Sequence, residues 1–500
     1  MRRLASALTL CLLVGSGCTP TKGGLRAPDA PNGPERTTAV APVAAPQLVG
    51  LEATLDREAL AADREGKPVL RLRLDASGIA LRQRPAVDLT LVIDTSGSML
   101  GQPIEDARAA ALALLDGLRD GDRLTVVTFD SRAQLLVAPI VVDRSALLPV
   151  KDALGKMEAR GTTDLAAGLG LAMQQTLASG IPSEAVRRIV VLGDGVPNDP
   201  GPIPQQIATA KSYGIAISTL GFGLEYDEVL LAQIAQGTGG RFHRIDADES
   251  IATAFRDEVL RIERAVASNV VMRLQPGPGV TIARIVGHPS APDGTRAHTV
   301  QLGDLAEGQS QEIFVELTTT AHRDGATVEL IDAAVSYEDH TAGAGRLERT
   351  AFVASTTTAG PEAKVSLEVG RGVALARVAA ASIDAITMAR AGDFAGAEAL
   401  LEDTEAQARK LAKSLDEAAL LARADELAAL RKTIVDDRKR QQKAERDALR
   451  AATHGQPHPT AGGPLTPMPA AQIAREPMPA GDLDTVKQAH SRAVDSLQPR

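Results

Sequence analysis

Between Asp88 and Ala265, six short apolar runs alternate with six stretches of helical periodicity, and few folds accommodate that order. The runs are Leu89 to Ile93, Leu124 to Phe129, Leu135 to Val142, Ile189 to Leu192, Ala216 to Leu220 and Arg241 to Ile245. The helical patterns fall at 103–117, 144–157, 165–178, 204–213, 226–237 and 248–264. Apolar strands without alternation are buried on both faces, and the helices between them supply the covers. The expected unit is therefore a doubly wound, mostly parallel α/β sheet. The run at 135–142 follows its neighbour after a turn too short for a crossover, which makes it an antiparallel edge.

Strand patterns flank this unit on both sides. Gln47 to Thr54 and Val69 to Ala76 come before it, the second alternating Leu70, Leu72 and Leu74 with Arg71 and Arg73. Six more lie between Val266 and Ala354, at 269–274, 280–286, 298–302, 311–317, 327–337 and 348–353. Two strands alone cannot hold a core. Residues 47–85 plus 266–356 are thus expected to form a β-sandwich of about eight strands, with the α/β unit of 86–265 inserted in it. Past Pro361 the chain turns Ala-rich and helical over 362–452, with Leu420, Leu427, Leu430 and Ile434 at spacings of three and four. This region reads as a packed helical hairpin. The Pro-rich 453–482 reads as a disordered linker, and 483–500 as a short helix or tail.

The two ends of the composition argue about location. Both cysteines, Cys11 and Cys18, lie in the first twenty residues, so the body holds no disulfide or cysteine metal site. Met1-Arg2-Arg3 followed by Leu4 to Val14 has the charged start and short apolar core of a secretory leader (1–17). Gly15-Ser16-Gly17-Cys18 resembles the processing box of bacterial lipoproteins, which implies a lipidated Cys18. Thr19 after it, in place of Asp, implies sorting to the outer membrane. The Pro-, Gly- and Thr-rich 18–46 would then be a tether, spanning roughly 30 Å as a coil. No segment after the leader reads as membrane-spanning. A net charge of −9 and 2% aromatic residues with no Trp exclude nucleic acid as a natural partner. The eight His show no metal-ligand spacing and read as surface residues, and the basic run Arg438-Lys439-Arg440 reads as a solvated helix face.

Chemistry concentrates where the first strand of the α/β unit ends. Asp94-Thr95-Ser96-Gly97-Ser98 places one carboxylate and two hydroxyls at alternate positions of one loop. Ligands of open α/β sheets bind beyond the carboxyl ends of the strands, at the point where strand order reverses. Topology should carry Gly161-Thr162-Thr163-Asp164 and Gly193-Asp194-Gly195 to the same edge. Hard oxygen donors in that number suit a small divalent cation.

Together these segments resemble a von Willebrand factor type A domain with a metal-ion-dependent adhesion site. The resemblance implies a Rossmann-like fold and a metal held by Asp94, Ser96, Ser98, Thr163 and Asp194. It also implies a bound Mg2+, or Mn2+ or Ca2+, that accepts a carboxylate from a protein partner. The family's usual Thr before the last Asp is Gly193 here, which changes a neighbour and keeps the ligand. The flanking strands and C-terminal helices resemble exported bacterial proteins described as calcium-activated chloride channel homologues. The expected function is a non-enzymatic, lipid-anchored envelope protein for adhesion or scaffolding. Two alternatives remain open. One is a Mg2+-dependent phosphatase of haloacid-dehalogenase type, which Gly193-Asp194-Gly195 resembles but which needs an Asp where Ser96 stands. The other is a structural protein in which the cation only stabilises the fold. Asp164, Asn198 and Asp199 read as capping or solvated loop residues.

Overall fold

The computed structural model describes residues 48–499 except 79–84, 144, 179–184, 195, 224–225, 246–252, 254–260, 262–263, 289, 291, 340–345, 360–365, 416 and 455–477. The leader, Cys18, the tether, nearly all of the expected 248–264 helix, Gly195 and most of the 453–482 linker lie outside the described residues.

In chain order, β1 (Val49–Leu55), β2 (Ala59–Ala61) and β3 (Val69–Ala76) come first. The alternating unit follows: β4 (Val87–Asp94), α1 (Gln102–Leu115), β5 (Arg123–Phe129), β6 (Ala133–Val141), α2 (Leu147–Gly155) and α3 (Leu165–Thr176). It continues with β7 (Val186–Gly193), α4 (Ile203–Ser212), β8 (Ala216–Phe222), α5 (Glu228–Thr238) and β9 (Phe242–Ile245). Six strands follow, β10 (Ala265–Pro276), β11 (Val280–Ile285), β12 (His298–Ala306), β13 (Ser310–Thr319), β14 (Thr327–Asp339) and β15 (Arg346–Thr358). The chain ends in α6 (Leu367–Arg390), α7 (Phe394–Leu415), α8 (Ala418–His454) and α9 (Ala480–Leu497).

The six-stranded sheet has the order β6-β5-β4-β7-β8-β9 and is parallel except for the antiparallel edge β6. Every residue of β4 is buried. Its period-two alternation divides two cores: Leu89, Leu91 and Ile93 pack with Ala107 and Leu114 of α1 and Leu154 of α2, while Val92 packs on the other face with Leu169 of α3 and Ile234 of α5. The chain leaves β4 toward β5 on one side and later returns to β7 on the other, so strand order reverses at the carboxyl end of β4.

The remaining strands form two antiparallel sheets, β1-β3-β13-β11 and β12-β10-β14-β15-β2, sharing one core of Leu70, Leu72 and Leu74 against Met272, Leu274 and Val335. Among the described residues there are nine strands rather than about eight. The extra one, β2, is three residues long and pairs parallel with β15, too short to leave a periodic signal. The α/β unit meets the sandwich at the amino ends of its strands. Arg188, near the start of β7, makes a buried ion pair with Asp304 of β12. Gly239 and Gly303 touch backbone to backbone, where a Cβ on either would overlap the other. The opposite, carboxyl end of β7 lies some six residues on, roughly 20 Å away at about 3.3 Å per residue.

Three expectations for the C-terminal region need correction. First, α6 is long and apolar enough to cross a bilayer, contrary to the reading that no such segment follows the leader. Its apolar faces are covered within the fold: Val369, Val373 and Ala380 lie with Phe314 and Val69 of the sandwich, and Ala385 and Ile386 with α7 and α8. The short helix or tail expected over 483–500 is present as the helix α9, and it is packed into the fold. Val486 joins the core of α6 to α8, Val494 joins the α/β core, and Ala493 and Leu497 join the contact of α6 with the sandwich. Its Lys487 is buried, donating to the Tyr226 carbonyl at 2.5 Å and to Glu228 at 3.2 Å. Burial pulls the Lys487 ammonium down to about 8 against the opposing pull of Glu228. Second, His490 is fully buried, not a surface histidine, and burial holds it at about 4. Third, the basic run is not simply solvated, because Arg438 pairs with Glu398 at 3.1 Å and Arg440 with Asp482 at 2.7 Å. A single sequence shows helical period but not which helix faces which.

Candidate metal centre

Strand β4 ends in the apolar Leu91, Val92 and Ile93 before its last residue, Asp94, and the loop after it is fixed by hydrogen bonds. The Thr95 N–H and hydroxyl both donate to the Phe129 carbonyl at 2.8 and 3.0 Å, and the Ser96 N–H donates to Asp94 Oδ1 at 2.8 Å. The chain then makes one 3-10 turn, Gly97–Met99, and enters α1. That turn brings Ser96 and Ser98 to the same side, their hydroxyls 3.0 Å apart.

Two distant segments close on this loop. The Gly97 N–H donates to the Gly161 carbonyl at 3.1 Å and the Arg160 N–H to the Thr95 carbonyl at 2.7 Å, which draws 160–163 alongside. Gly161 has φ +75°, and a Cβ there would sit 2.6 Å from Ser131 Oγ, so the turn needs glycine. From the end of β7, the Asp194 carboxylate accepts from the Ser98 hydroxyl at 2.8 Å. Asp94, Ser96, Ser98 and Asp194 thus form a hydrogen-bonded chain. Thr163 reaches the same edge through its backbone, its carbonyl accepting from the Asn198 N–H at 3.0 Å, while its hydroxyl makes no hydrogen bond to the other four. Asp164 caps α3 by accepting from the Ala167 N–H at 2.9 Å, and Asp199 accepts from the Gly201 N–H at 2.9 Å, as expected of turn residues.

Burial sets the electrostatics. Asp94 is 1% exposed, Ser96, Thr163 and Asp194 are buried, and Ser98 is exposed, so the cluster opens toward solvent past Ser98. Burial raises the Asp94 carboxyl to about 7, partly offset by its bonds with Ser96, and the nearby Asp194 and Asp130 charges push the same way as burial. Oδ2 of Asp94 is buried with no hydrogen-bond partner. A desolvated carboxylate oxygen left unpaired beside a second carboxylate is costly, and either protonation or a divalent cation would relieve both faults. The donors are two carboxylates and three hydroxyls, a hard oxygen set of the kind Mg2+ takes while keeping waters.

Asp130 was not singled out in the sequence. It follows β5, whose Phe129 is in register with Asp94, and lies 3.2 Å from Arg160 Nε through Oδ2. An acid directly after an apolar strand neighbouring β4 was the available signal.

A sheet of this order with this loop set at its switch point has the von Willebrand factor type A fold, and residues 88–257 match the family model described as von Willebrand factor type A domain. Domains of this type commonly mediate metal-dependent protein interactions. Among curated proteins, the chain is 30% identical over 260 residues to a protein of Synechocystis sp. called uncharacterized protein sll0103, covering 50% of this chain and 61% of that one. It is 26% identical over 269 residues to the Escherichia coli protein YfbK, covering 52% and 46%. The chain thus spans about three-fifths or less of the length of these relatives. Among solved structures, a von Willebrand factor type A protein from Catenulispora acidiphila aligns over 77% of this chain and 90% of its own with TM-score 0.60 and 21% identity, a likeness of fold.

Proposed function

We propose that the carboxyl end of the α/β sheet binds Mg2+, with Mn2+ or Ca2+ as substitutes, and that the occupied site captures an acidic side chain of a protein partner. Asp94 and Asp194 would hold the cation together with the hydroxyls of Ser96, Ser98 and Thr163. The buried, unpartnered Asp94 Oδ2 beside the Asp194–Ser98 pair carries this reading. The cation supplies a centre of positive charge that neutral hydroxyl donors leave partly unmasked. The chain's own residues do the rest: the loops fix the donors before any partner arrives, and exposed Ser98 keeps one side open. A negatively charged protein thereby gains a contact for a carboxylate.

The protein acts without catalysis in this reading. Ser96 stands where a phosphatase of the alternative type needs a second carboxylate, and its hydroxyl is bonded to Ser98. The location follows from the leader and Cys18: a lipid-anchored protein of the cell envelope, sorted to the outer membrane, its body held off the bilayer by the 18–46 tether and without affinity for nucleic acid.

Crosslinking in intact envelopes tests this, comparing the wild-type full chain and Asp94→Ala, each with and without chelator. The expected result is one set of crosslinked proteins lost on chelation and lost with Asp94→Ala. Crosslinks insensitive to both would refute partner capture. A Mg2+-dependent rise in melting temperature with no metal-dependent crosslink would assign the cation a purely structural role.

A further inference from the structure

We propose a second binding site, remote from the metal end, for a long-chain carboxylate of fatty-acid type. α6 and the end of α9 pack on the outer face of the sheet β1-β3-β13-β11, α8 lies beside them, and a groove of about 480 Å3 remains between these elements. That volume falls in the range of small-molecule sites, about 300–1,000 Å3, and its place between packed units is where such sites concentrate.

The floor is apolar, made by Phe314 of β13, Leu375 and Ala379 of α6, and Ala493 and Leu497 of α9. Small residues on the facing helices keep the space open. Gly372 of α6 lies over the Phe314 ring, where a Cβ would come within 2.5 Å of Cζ. The rim is cationic. Arg73, Arg371, Arg423 and Arg492 line the groove against two lining carboxylates, Glu312 and Glu426. Glu426 is shared, 2.8 Å from Arg423 and 3.4 Å from Arg492, and Glu312 turns 3.5 Å from Arg71, which is not on the lining. Asp75 holds Arg73 at 2.9 Å and Glu417 holds Arg371 at 3.2 Å, both from outside the lining. Each guanidinium carries five donors in a planar fork, so one carboxylate partner leaves donors free for an anionic headgroup. Side-chain exposures of 40% for Arg73, 52% for Arg371 and 57% for Arg492 keep those donors reachable.

An apolar trough under a ring of guanidinium groups matches an aliphatic chain ending in one negative charge. A cationic amphiphile would meet like charge, and a small hydrophilic anion would leave the floor unfilled. Because the groove joins the sandwich to α6, α8 and α9, an occupant would tie these elements together.

The test is titration calorimetry of laurate into the purified full chain, with dodecyltrimethylammonium as the cationic control. The site is then mapped by crosslinking a diazirine-bearing fatty acid. Laurate should bind at least about tenfold tighter than the cation. Crosslinks should fall on α6 and α9. Arg371→Gln with Arg492→Gln, both at exposed positions, should weaken laurate about tenfold or more while leaving the melting temperature unchanged. Ala379→Phe should abolish binding by filling the floor. Chelator and Asp94→Ala should have no effect, which separates this site from the metal end. Equal affinity for both amphiphiles, crosslinks elsewhere, or laurate binding indifferent to the arginine pair would overturn the proposal.

Discussion

Replacing Asp94 by Asn should make the metal-free protein more stable, although the residue is central to the proposed site. The Asn keeps Oδ1, which accepts from the Ser96 N–H at 2.8 Å, and exchanges the unpartnered Oδ2 for a neutral amide. In the native chain the carboxyl rises from 3.8 to about 7, burial being the main cause. A group whose pKa is higher in the folded state favours folding below its unfolded value, and that contribution disappears as pH rises through the folded value. Metal-free wild type should therefore lose stability between pH 4 and pH 7. The rise corresponds to about 4 kcal/mol at 1.36 kcal/mol per pH unit, so at pH 8 Asp94→Asn should recover ~1–4 kcal/mol. The assay is thermal unfolding in chelator and in Mg2+, from pH 5 to 8. In chelator the variant should melt above wild type at pH 8 and by a clearly smaller margin at pH 5, since the two converge only toward pH 4. In Mg2+ at a hundred times its dissociation constant, wild type should gain about 2.7 kcal/mol and the variant nothing. A variant less stable than wild type in chelator at pH 8, or one that responds to Mg2+ like wild type, refutes the reasoning.

Gly161→Ala should lower Mg2+ affinity about tenfold in calorimetry, because φ +75° and the Ser131 hydroxyl both oppose a side chain and the turn places Thr163. Removing one partner of the buried Arg188–Asp304 pair, by Arg188→Met or Asp304→Leu, should destabilise by about 3–5 kcal/mol in denaturant unfolding, whereas the double variant should lie near wild type. Lys487 has its folded pKa depressed from 10.5 to about 8, so its contribution to stability is fully present above pH 10.5 and lost as pH falls through 8. Unfolding measured from pH 7 to 10.5 should show wild type gaining stability relative to Lys487→Met, and parallel curves would show that Lys487 is not desolvated.

The six runs between Leu89 and Ile245 were legible as strands because a strand buried on both faces must be apolar at nearly every position, and β4 is buried throughout. The antiparallel edge β6 was legible from turn length, and Asp94, Ser96 and Ser98 from their spacing in one loop. Asp130 was not legible as a neighbour of the site, since only pairing of β5 with β4 in the register Asp94 to Phe129 puts it there. The helix α6 is ambiguous for a related reason: a core helix and a bilayer-spanning one share an apolar composition, and only the packing of Val369 and Ile386 distinguishes them.

The sequence by itself determined which segments become strands and helices, where the first strand stops, and which side chains could offer oxygen there, because periodicity and loop spacing are local properties of the chain. Tertiary structure alone decided that Asp194 meets Ser98, that Asp94 is buried deeply enough to lose its charge near neutral pH, and that His490 and Lys487 are interior groups. It also decided that the carboxyl end of the α/β sheet, where the proposed site lies, faces away from the sandwich, which is held at the other end by Arg188 and Asp304. Desolvation and charge pairing depend on what lies within a few ångströms, and residues roughly a hundred positions apart become neighbours only when the sheet forms.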